Sequence, residues 1–565
     1  MMKLEDIQYI RFNMTYVKKQ FEELFDLFSA SKTFNESNRA FLRINTLRDE
    51  IETTMNLVRI RFSQNTKDEF YSKENNYIDE VSPIYDGIVH EYFGLLVKNQ
   101  FKDELINEHG QQLMTLAILQ LKTFKEDIIP NLMTENQLCS AYQKLSGSAE
   151  FDYKGKKLSM SQMGSYLSDD NREVRLESRR LVMGFYEKNE SKYDRIYDEL
   201  VKVRTEIAHQ LGYDNYVQLG YDRYARSDYD HTMVAKFRDA VHEHIVPVAE
   251  KLALRQQSRL GLNKLSFIDE PLLFKTGNAK PKGSPEWIIS QGDKVFSALG
   301  SETSDCYKKM NDQGLLDLVA RKGKSGGGYC EYLNTHQMPF IFSNFNGTSG
   351  DIDILTHEFG HAFQVYQTRE FAVTDYHWPT SEACEVHSTA MEYLTWPTMN
   401  LFFNEDADKY RFTHLSTSIG FIPYIVTVDE FQHFVYENPN VSPTERKQKW
   451  REIEMKYMPY KEYEDFDFYN RGGTFFRQSH IFTIPFYYIE YALAKICAYQ
   501  FWRDSRNDFK GTWDRYMDLC QLGGKHSFLE LLRRSNVESP FNKETIKNLM
   551  PELNAYFDQV DDSKM

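Results

Sequence analysis

In the stretch "DILTHEFGHAFQV" two histidines stand four positions apart, with a glutamate directly after the first: His357, Glu358 and His361. A helix turns 100° per residue, so His357 and His361 fall on one face a turn apart, where both imidazoles can hold a single metal ion. Glu358 is rotated beside them. From there its carboxylate reaches a water on the metal rather than the metal itself, the place of a general base that deprotonates the attacking water. With 15 histidines in 565 residues, chance would produce this pattern roughly 0.03 times in such a chain.

A catalytic zinc takes three protein ligands and keeps a fourth position open for water. In one class of zinc proteases the third ligand is a histidine ten residues after the first, with a glycine at seven. Those positions hold Gln367 and Gln364, which excludes that class. The next helical stretch, "TSEACEVHSTAMEYL", offers Glu382, Glu385 and Glu392 instead. Glu382 and Glu385 are three apart and share a helix face, so spacing leaves both open. His377 and His387 are further candidates.

These residues need rigid elements under them. Gly360 inside the motif helix carries an intrinsic cost of about 1 kcal/mol relative to alanine, which implies that something packs close to the backbone there. Ser349 or Asp351 is the expected N-cap. The segment before it, "GKSGGGYCEYLNTHQMPFIFSNFNGTSG", is Gly-rich and then aromatic and β-branched, and predicts one or two strands, one of them an edge because of its proline. An extended peptide could pair with such an edge through its backbone, and the glycines at 326 to 328 would allow close approach.

From the start to about residue 145, apolar residues recur at three- and four-residue spacing with few Pro or Gly, which predicts packed amphipathic helices. "SGSAEFDYKGKKLSM" predicts a short hairpin at about 149 to 158 around a Lys-Gly turn. Helices resume at "SDDNREVRLESRRLVMGFYEKN", with Ser168, Asp169 or Asp170 as the cap. "FKTGNAKPKGSPEW" reads as loop, "NRGGTFF" as a later break, and no fixed-period repeat is present. The fold class is therefore mainly α, with a small β-sheet next to the motif helix.

Composition narrows the partners. The 68 Lys+Arg against 83 Asp+Glu give a net charge of −15, which argues against nucleic acid or an anionic membrane. Charges at Lys3, Glu5 and Asp6 stand where a signal peptide needs an apolar core. The most apolar stretch, "HIFTIPFYYIEYALAKICAYQFW", contains Glu490, Lys495 and Pro485 and is a poor transmembrane span. Six cysteines far apart, without Cys-x-x-Cys, fit reduced thiols. The expectation is a cytoplasmic protein.

At this point the sequence resembles the thimet oligopeptidase and oligoendopeptidase F family of zinc metallopeptidases, most closely its smaller Pz-peptidase-like branch. The resemblance spans most of the chain, through "FDYKGKKLSMSQMGSYLSDDNREVR", "GGGYCEYL", "PFIFSNFNGTSGDIDILTHEFGHAFQ", "EVHSTAME" and "HIFTIPFYYIEYALA". In that family the third ligand is a glutamate followed three residues later by Ser and seven later by Glu; Glu385, with Ser388 and Glu392, fits. The resemblance thus implies one Zn2+ per chain on His357, His361 and Glu385, Glu358 as base, and Glu392 as a candidate to orient a ligand. It also implies oxyanion donors from "SHIFTIPFYYIEY": His480 with some of Tyr487, Tyr488 and Tyr491, of which Tyr491 and then Tyr488 are preferred.

The family's fold implies two helical lobes around a deep substrate channel, here an N-terminal lobe of about 1–200 and a catalytic lobe of about 201–565, the two intertwined. A channel admits short unstructured peptides and excludes folded proteins, so the expected activity is zinc-dependent cleavage of internal bonds in oligopeptides, with the oligomeric state left open. The alternatives are a zinc carboxypeptidase of the Taq type, which also carries a His-Glu-Phe-Gly-His helix, and an inactive helical peptide-binding protein.

Overall fold

The N-terminal apolar pattern forms helices Met14–Ala30, Phe34–Gln64 and Glu69–Lys98. Thr33 starts the second with a reciprocal capping box to Glu36, which satisfies two otherwise orphaned N–H groups. The computed structural model describes residues 3–565. Helices dominate throughout, with two small sheets. The buried apolar side chains form two clusters. The smaller draws on residues 14–117 together with Val373 and Tyr376, and the larger takes in nearly all the rest. Residue 200 lies within helix Glu190–Leu211.

The expected hairpin is β1 (Glu150–Tyr153) and β2 (Lys156–Ser159), paired antiparallel with Phe151 opposite Leu158. Lys154 and Gly155 between them both have positive φ, 50° and 73°, the two-residue turn whose twist matches the strands. A short helix, Met160–Leu167, follows directly, and the expected helix Arg172–Lys188 starts later than the sequence suggested and takes Asn171 as its cap. Asp169 instead accepts the Asn171 N–H and closes the preceding turn. Likewise the end of the expected loop at 274–287 is already helical, because Ser284 caps helix Pro285–Leu299 and Pro285 suits the first helical position.

The second sheet contains β3 (Leu316–Val319), β4 (Tyr329–Leu333) and β5 (Met338–Phe345), ordered β3-β5-β4. β3 pairs parallel with β5, and β4 antiparallel. The four residues of β3 are too few to stand out in the sequence. The proline falls in the central strand rather than at an edge: Pro339 sits opposite Tyr332 of β4, but β3 enters register only at Ile341, so no neighbour on that side needs its missing N–H.

β5 feeds directly into the motif helix, Gly350–Gln367. The connecting turn is held by Asp351, whose carboxylate accepts the Asn346 and Gly347 N–H groups at 2.8 Å each. Ser349 occupies the cap position without a side-chain hydrogen bond. Neither expected cap therefore works as a simple N-cap. The motif helix packs on the carboxylate helix, Ser381–Leu394, which also packs on the tyrosine helix, Ile489–Ser505. Among the described residues, no helix is long and apolar enough to cross a membrane.

Candidate metal and catalytic site

The crossing of the motif and carboxylate helices explains Gly360. A Cβ there would lie 2.6 Å from the Ser388 Cα and 2.8 Å from the His387 carbonyl oxygen. Only glycine lets the two backbones approach this closely. The approach carries Glu385 to the two histidines: His357, His361 and Glu385 each present a ligand atom, all within 4.8 Å of one another. The His357 Nε2 is 3.3 Å and the His361 Nε2 3.9 Å from the Glu385 Oε2. Of the two glutamates that spacing left open, the structure brings Glu385 into this cluster. Glu382 is buried elsewhere, beside the charge of Arg226, and burial raises its carboxyl to about 7.

The other histidine candidates point away. His377 Nδ1 meets the Thr368 carbonyl at 3.1 Å, and His387 Nδ1 the Ala383 carbonyl at 2.6 Å. Glu392, one full helix repeat beyond Glu385, makes two contacts of 2.7 Å, to His357 Nδ1 and to His414 Nε2. His414 comes from the long helix Ala407–Glu437, and its Nδ1 accepts the indole N–H of Trp396 at 3.2 Å. In a neutral His414 the proton is then on Nε2, donated to Glu392. A neutral His357 likewise donates Nδ1–H to Glu392 and turns the lone pair of Nε2 toward Glu385 and His361. This is the tautomer a metal ligand needs. His414 and Trp396 were not found from sequence: a lone histidine in an aromatic-rich helix carries no spacing signal.

Electrostatics set the site apart from an ordinary core. Glu358, Glu385 and Glu392 surround two imidazoles. Burial, aided by the Glu385 and Glu392 charges and opposed by His357, pushes Glu358 up to about 7, suited to taking and returning a proton near neutrality. Burial holds His361 down at about 3, in its neutral form. Burial also works against ionisation of Glu385, but hydrogen bonds with His357 and Tyr487 and the nearby imidazoles hold it well below the usual carboxylate range. Burial opposes charge on His357, but the hydrogen bonds and charges of Glu385 and Glu392 outweigh it and push that imidazole well above its usual range, so a bound ion would take the place of its Nε2 proton. Two imidazole nitrogens and an ionised carboxylate are then the donor set of a three-ligand catalytic zinc site, and the residues present fit that ion.

The C-terminal segment closes the site. Tyr487 donates to Glu385 Oε1 at 2.8 Å, so this tyrosine orients a ligand. Tyr488 lies with its ring 5.5 Å from that of Tyr491. It stands at the start of the tyrosine helix and is buried against Phe421 and Tyr424, with its ring 4.8 Å from that of His480. Tyr491 is half-buried, its ring 6.2 Å from His480 and 5.5 Å from Tyr487. Its hydroxyl is pushed up by burial and by the charges of Glu385, Glu490 and Glu358.

His480 Nδ1 contacts Gln478 Nε2 at 2.8 Å, and Gln478 Oε1 accepts from the Tyr424 hydroxyl at 2.9 Å. With Gln478 as donor, the neutral His480 carries its proton on Nε2, free to donate. Burial lowers the His480 pKa and keeps it neutral. Gln478 and Tyr424 were also missed from sequence. At the opposite wall, Gly328 at the start of the edge strand β4 comes within 3.6 Å of Glu358 Oε1, measured from its would-be Cβ.

The profile of the Peptidase M3 N-terminal domain matches residues 4–124, and that of Peptidase family M3 matches residues 291–551. The chromosomal oligoendopeptidase F of Lactococcus lactis subsp. cremoris is 24% identical over 250 residues, 44% of this chain and 40% of that protein. The oligopeptidase PepF of Bacillus subtilis (strain 168) is 22% identical over 307 residues, 53% of this chain and 44% of that protein. The matched region thus spans less than half the length of these curated relatives.

Solved structures match end to end. Pz peptidase A, determined with an inhibitor, is 47% identical with a TM-score of 0.95, covering 99% of this chain and 100% of its own. Oligoendopeptidase F from Enterococcus faecium is 13% identical with a TM-score of 0.62, over 98% and 99% of the two chains, a likeness of fold.

Proposed function

Because the chain belongs to peptidase family M3 and is a metalloendopeptidase, we propose that it is a zinc-dependent oligoendopeptidase that hydrolyses internal bonds of short unstructured peptides. The observation that carries this reading is the convergence of His357, His361 and Glu385, with Glu358 beside them and, among the described residues, in no ion pair. We read the chain as two lobes, about 1–200 and 201–565, intertwined where Val373 and Tyr376 join the smaller apolar cluster. The peptide would lie between them.

His357, His361 and Glu385 would hold the zinc. When bound, the ion supplies a Lewis acid that acidifies water and polarises the scissile carbonyl. Glu358 takes the proton of the attacking water and passes it to the leaving amine, a cycle suited to a carboxyl near 7. Tyr491 and the Nε2–H of His480 donate to the oxygen on which charge develops, and their partial burial strengthens those hydrogen bonds. Tyr487 and Glu392 fix Glu385 and His357. The backbone of β4 aligns an extended peptide beside Glu358.

The test is Glu358→Gln. The amide has nearly the same shape and leaves the three ligands untouched, so the variant should keep one zinc per chain while kcat falls at least about 10^2- to 10^4-fold. Full activity in this variant would overturn the mechanism. Mass-spectrometric mapping of a mixed peptide library should find internal cuts. Release of single C-terminal residues would favour a carboxypeptidase instead.

A further inference from the structure

A cavity of about 630 Å3 adjoins the catalytic segment, walled by Leu252, Phe412, Phe421 and Tyr424 and reaching Gln478. Gln478 is hydrogen-bonded to His480, and Phe421 and Tyr424 pack on Tyr488. The cavity and the oxyanion side of the site thus share one layer of side chains. Its charged lining is Arg179, Arg259, Lys461 and Arg477 against the single carboxylate of Glu270. Arg179 and Arg477 both face it, and among the described residues neither forms an ion pair.

The carboxylates nearest to them are engaged elsewhere. Glu270 pairs with Lys461 at 2.5 Å, and Glu454 with Arg451 at 2.7 Å and with the Tyr463 hydroxyl at 2.6 Å. The third arginine in the wall, Arg259, is tied to Asp562. Arg179 Nε is buried without a hydrogen-bond partner, and burial together with the charge of Arg477 depresses the Arg179 pKa. Glu270 and Glu454 act on the two guanidinium groups only from within ion pairs of their own, and Tyr424 bonds Arg477. Two guanidinium groups near each other with no carboxylate paired to either still favour an anion, and the planar fork of arginine matches a carboxylate best.

We infer that this cavity is a subsite for a peptide carboxylate, with Arg477 and Arg179 as its cationic groups, so that the enzyme favours oligopeptides carrying a negative charge a few residues from the bond it cuts. The inference rests on the peptidase reading above. A peptide with its scissile carbonyl against His480 would run past Gln478 and along the stacked rings of Tyr424 and Phe421 into the cavity. The apolar walls cover its side chains, and the carboxylate ends on the two arginines. The charge can come from the C-terminal α-carboxylate or from an Asp or Glu side chain.

Three versions of one quenched fluorescent peptide distinguish these sources: a free C-terminal acid, the same peptide as a carboxamide, and the carboxamide with a Glu placed near its end. A charge-assisted hydrogen bond lost to amidation should lower kcat/KM about tenfold. Rescue of the carboxamide by Glu identifies the side chain as a sufficient source, and no rescue assigns the subsite to the α-carboxylate.

Arg477→Gln and Arg179→Gln should each level the versions toward one another, whereas Arg477→Lys, which keeps the charge, should retain most of the preference at a similar melting temperature. Equal rates for all three peptides in the natural enzyme, or an undiminished preference in both glutamine variants, would overturn the subsite while leaving the peptidase reading intact. Hydrolysis that survives Glu358→Gln would instead overturn the reading on which it rests. Mapping the cut bond in each version confirms that an internal bond is broken, so that an exopeptidase's need for a free terminus is not mistaken for this preference.

Discussion

Gly360→Ala tests whether the spacing of two helices sets the metal site. The added Cβ would meet the Ser388 Cα at 2.6 Å, the His387 carbonyl oxygen at 2.8 Å and the Met391 Cβ at 3.0 Å. Ordinary contact begins at 3.4 Å, so the first distance falls about 0.8 Å short. Two of the three obstacles are main-chain atoms, which cannot rotate away. The carboxylate helix must therefore retreat from the motif helix by most of that distance, taking Glu385 with it. Coordination tolerates errors of only about 0.2 Å.

Helix propensity works the other way, since alanine is favoured over glycine by about 1 kcal/mol inside a helix. Overpacking costs about 1–3 kcal/mol. The net effect on stability is thus about 0–2 kcal/mol, while metal affinity should fall about 10- to 100-fold, the usual penalty for disturbing a ligand's support. Zinc content after dialysis against graded chelator, read with kcat/KM at saturating zinc, separates the two effects. A variant that holds zinc as tightly as the natural protein would refute the claim that this helix contact positions Glu385.

Glu392→Gln leaves one acceptor oxygen where His357 and His414 both need one, and competitive chelation should show zinc affinity about 10- to 100-fold lower. Tyr491→Phe removes a proposed oxyanion donor; steady-state kinetics should show kcat lower by about 10^2-fold with KM little changed. A fall confined to KM would argue for a role in binding instead. Acid stability should depend on His433, which burial holds at about 4 against 6.5 in the unfolded chain. The unfolded state takes up the proton first, so the contribution is whole above pH 6.5 and is lost as pH falls toward 4, about 2 kcal/mol of it by pH 5. Denaturation midpoints at pH 7 and 5 should differ less in His433→Gln.

The chemistry was legible in one dimension where it depends on spacing along a helix. His357, Glu358 and His361 share a turn, so their relation follows from 3.6 residues per turn whatever the rest of the fold does. The hairpin at Lys154 and Gly155 is local in the same sense, since its turn needs only residues that accept positive φ. Gly360 pointed to a close neighbour because glycine inside a helix costs free energy that a contact must offset, though the sequence alone could not name that neighbour.

What lay beyond the sequence depends on contacts between distant segments. Glu382 and Glu385 share a helix face and are chemically alike; only the crossing of two helices turns one to the histidines and the other to Arg226. Tyr487, set aside in favour of Tyr488 and Tyr491, reaches Glu385 from the turn just before the tyrosine helix, where Tyr488 is the buried cap residue. His414, Trp396 and Gln478 carry no periodic signal, yet they set the protons of the groups around the site. A proton's position on an imidazole is decided by whichever donor or acceptor the fold places within about 3 Å, and that neighbour is fixed by tertiary packing.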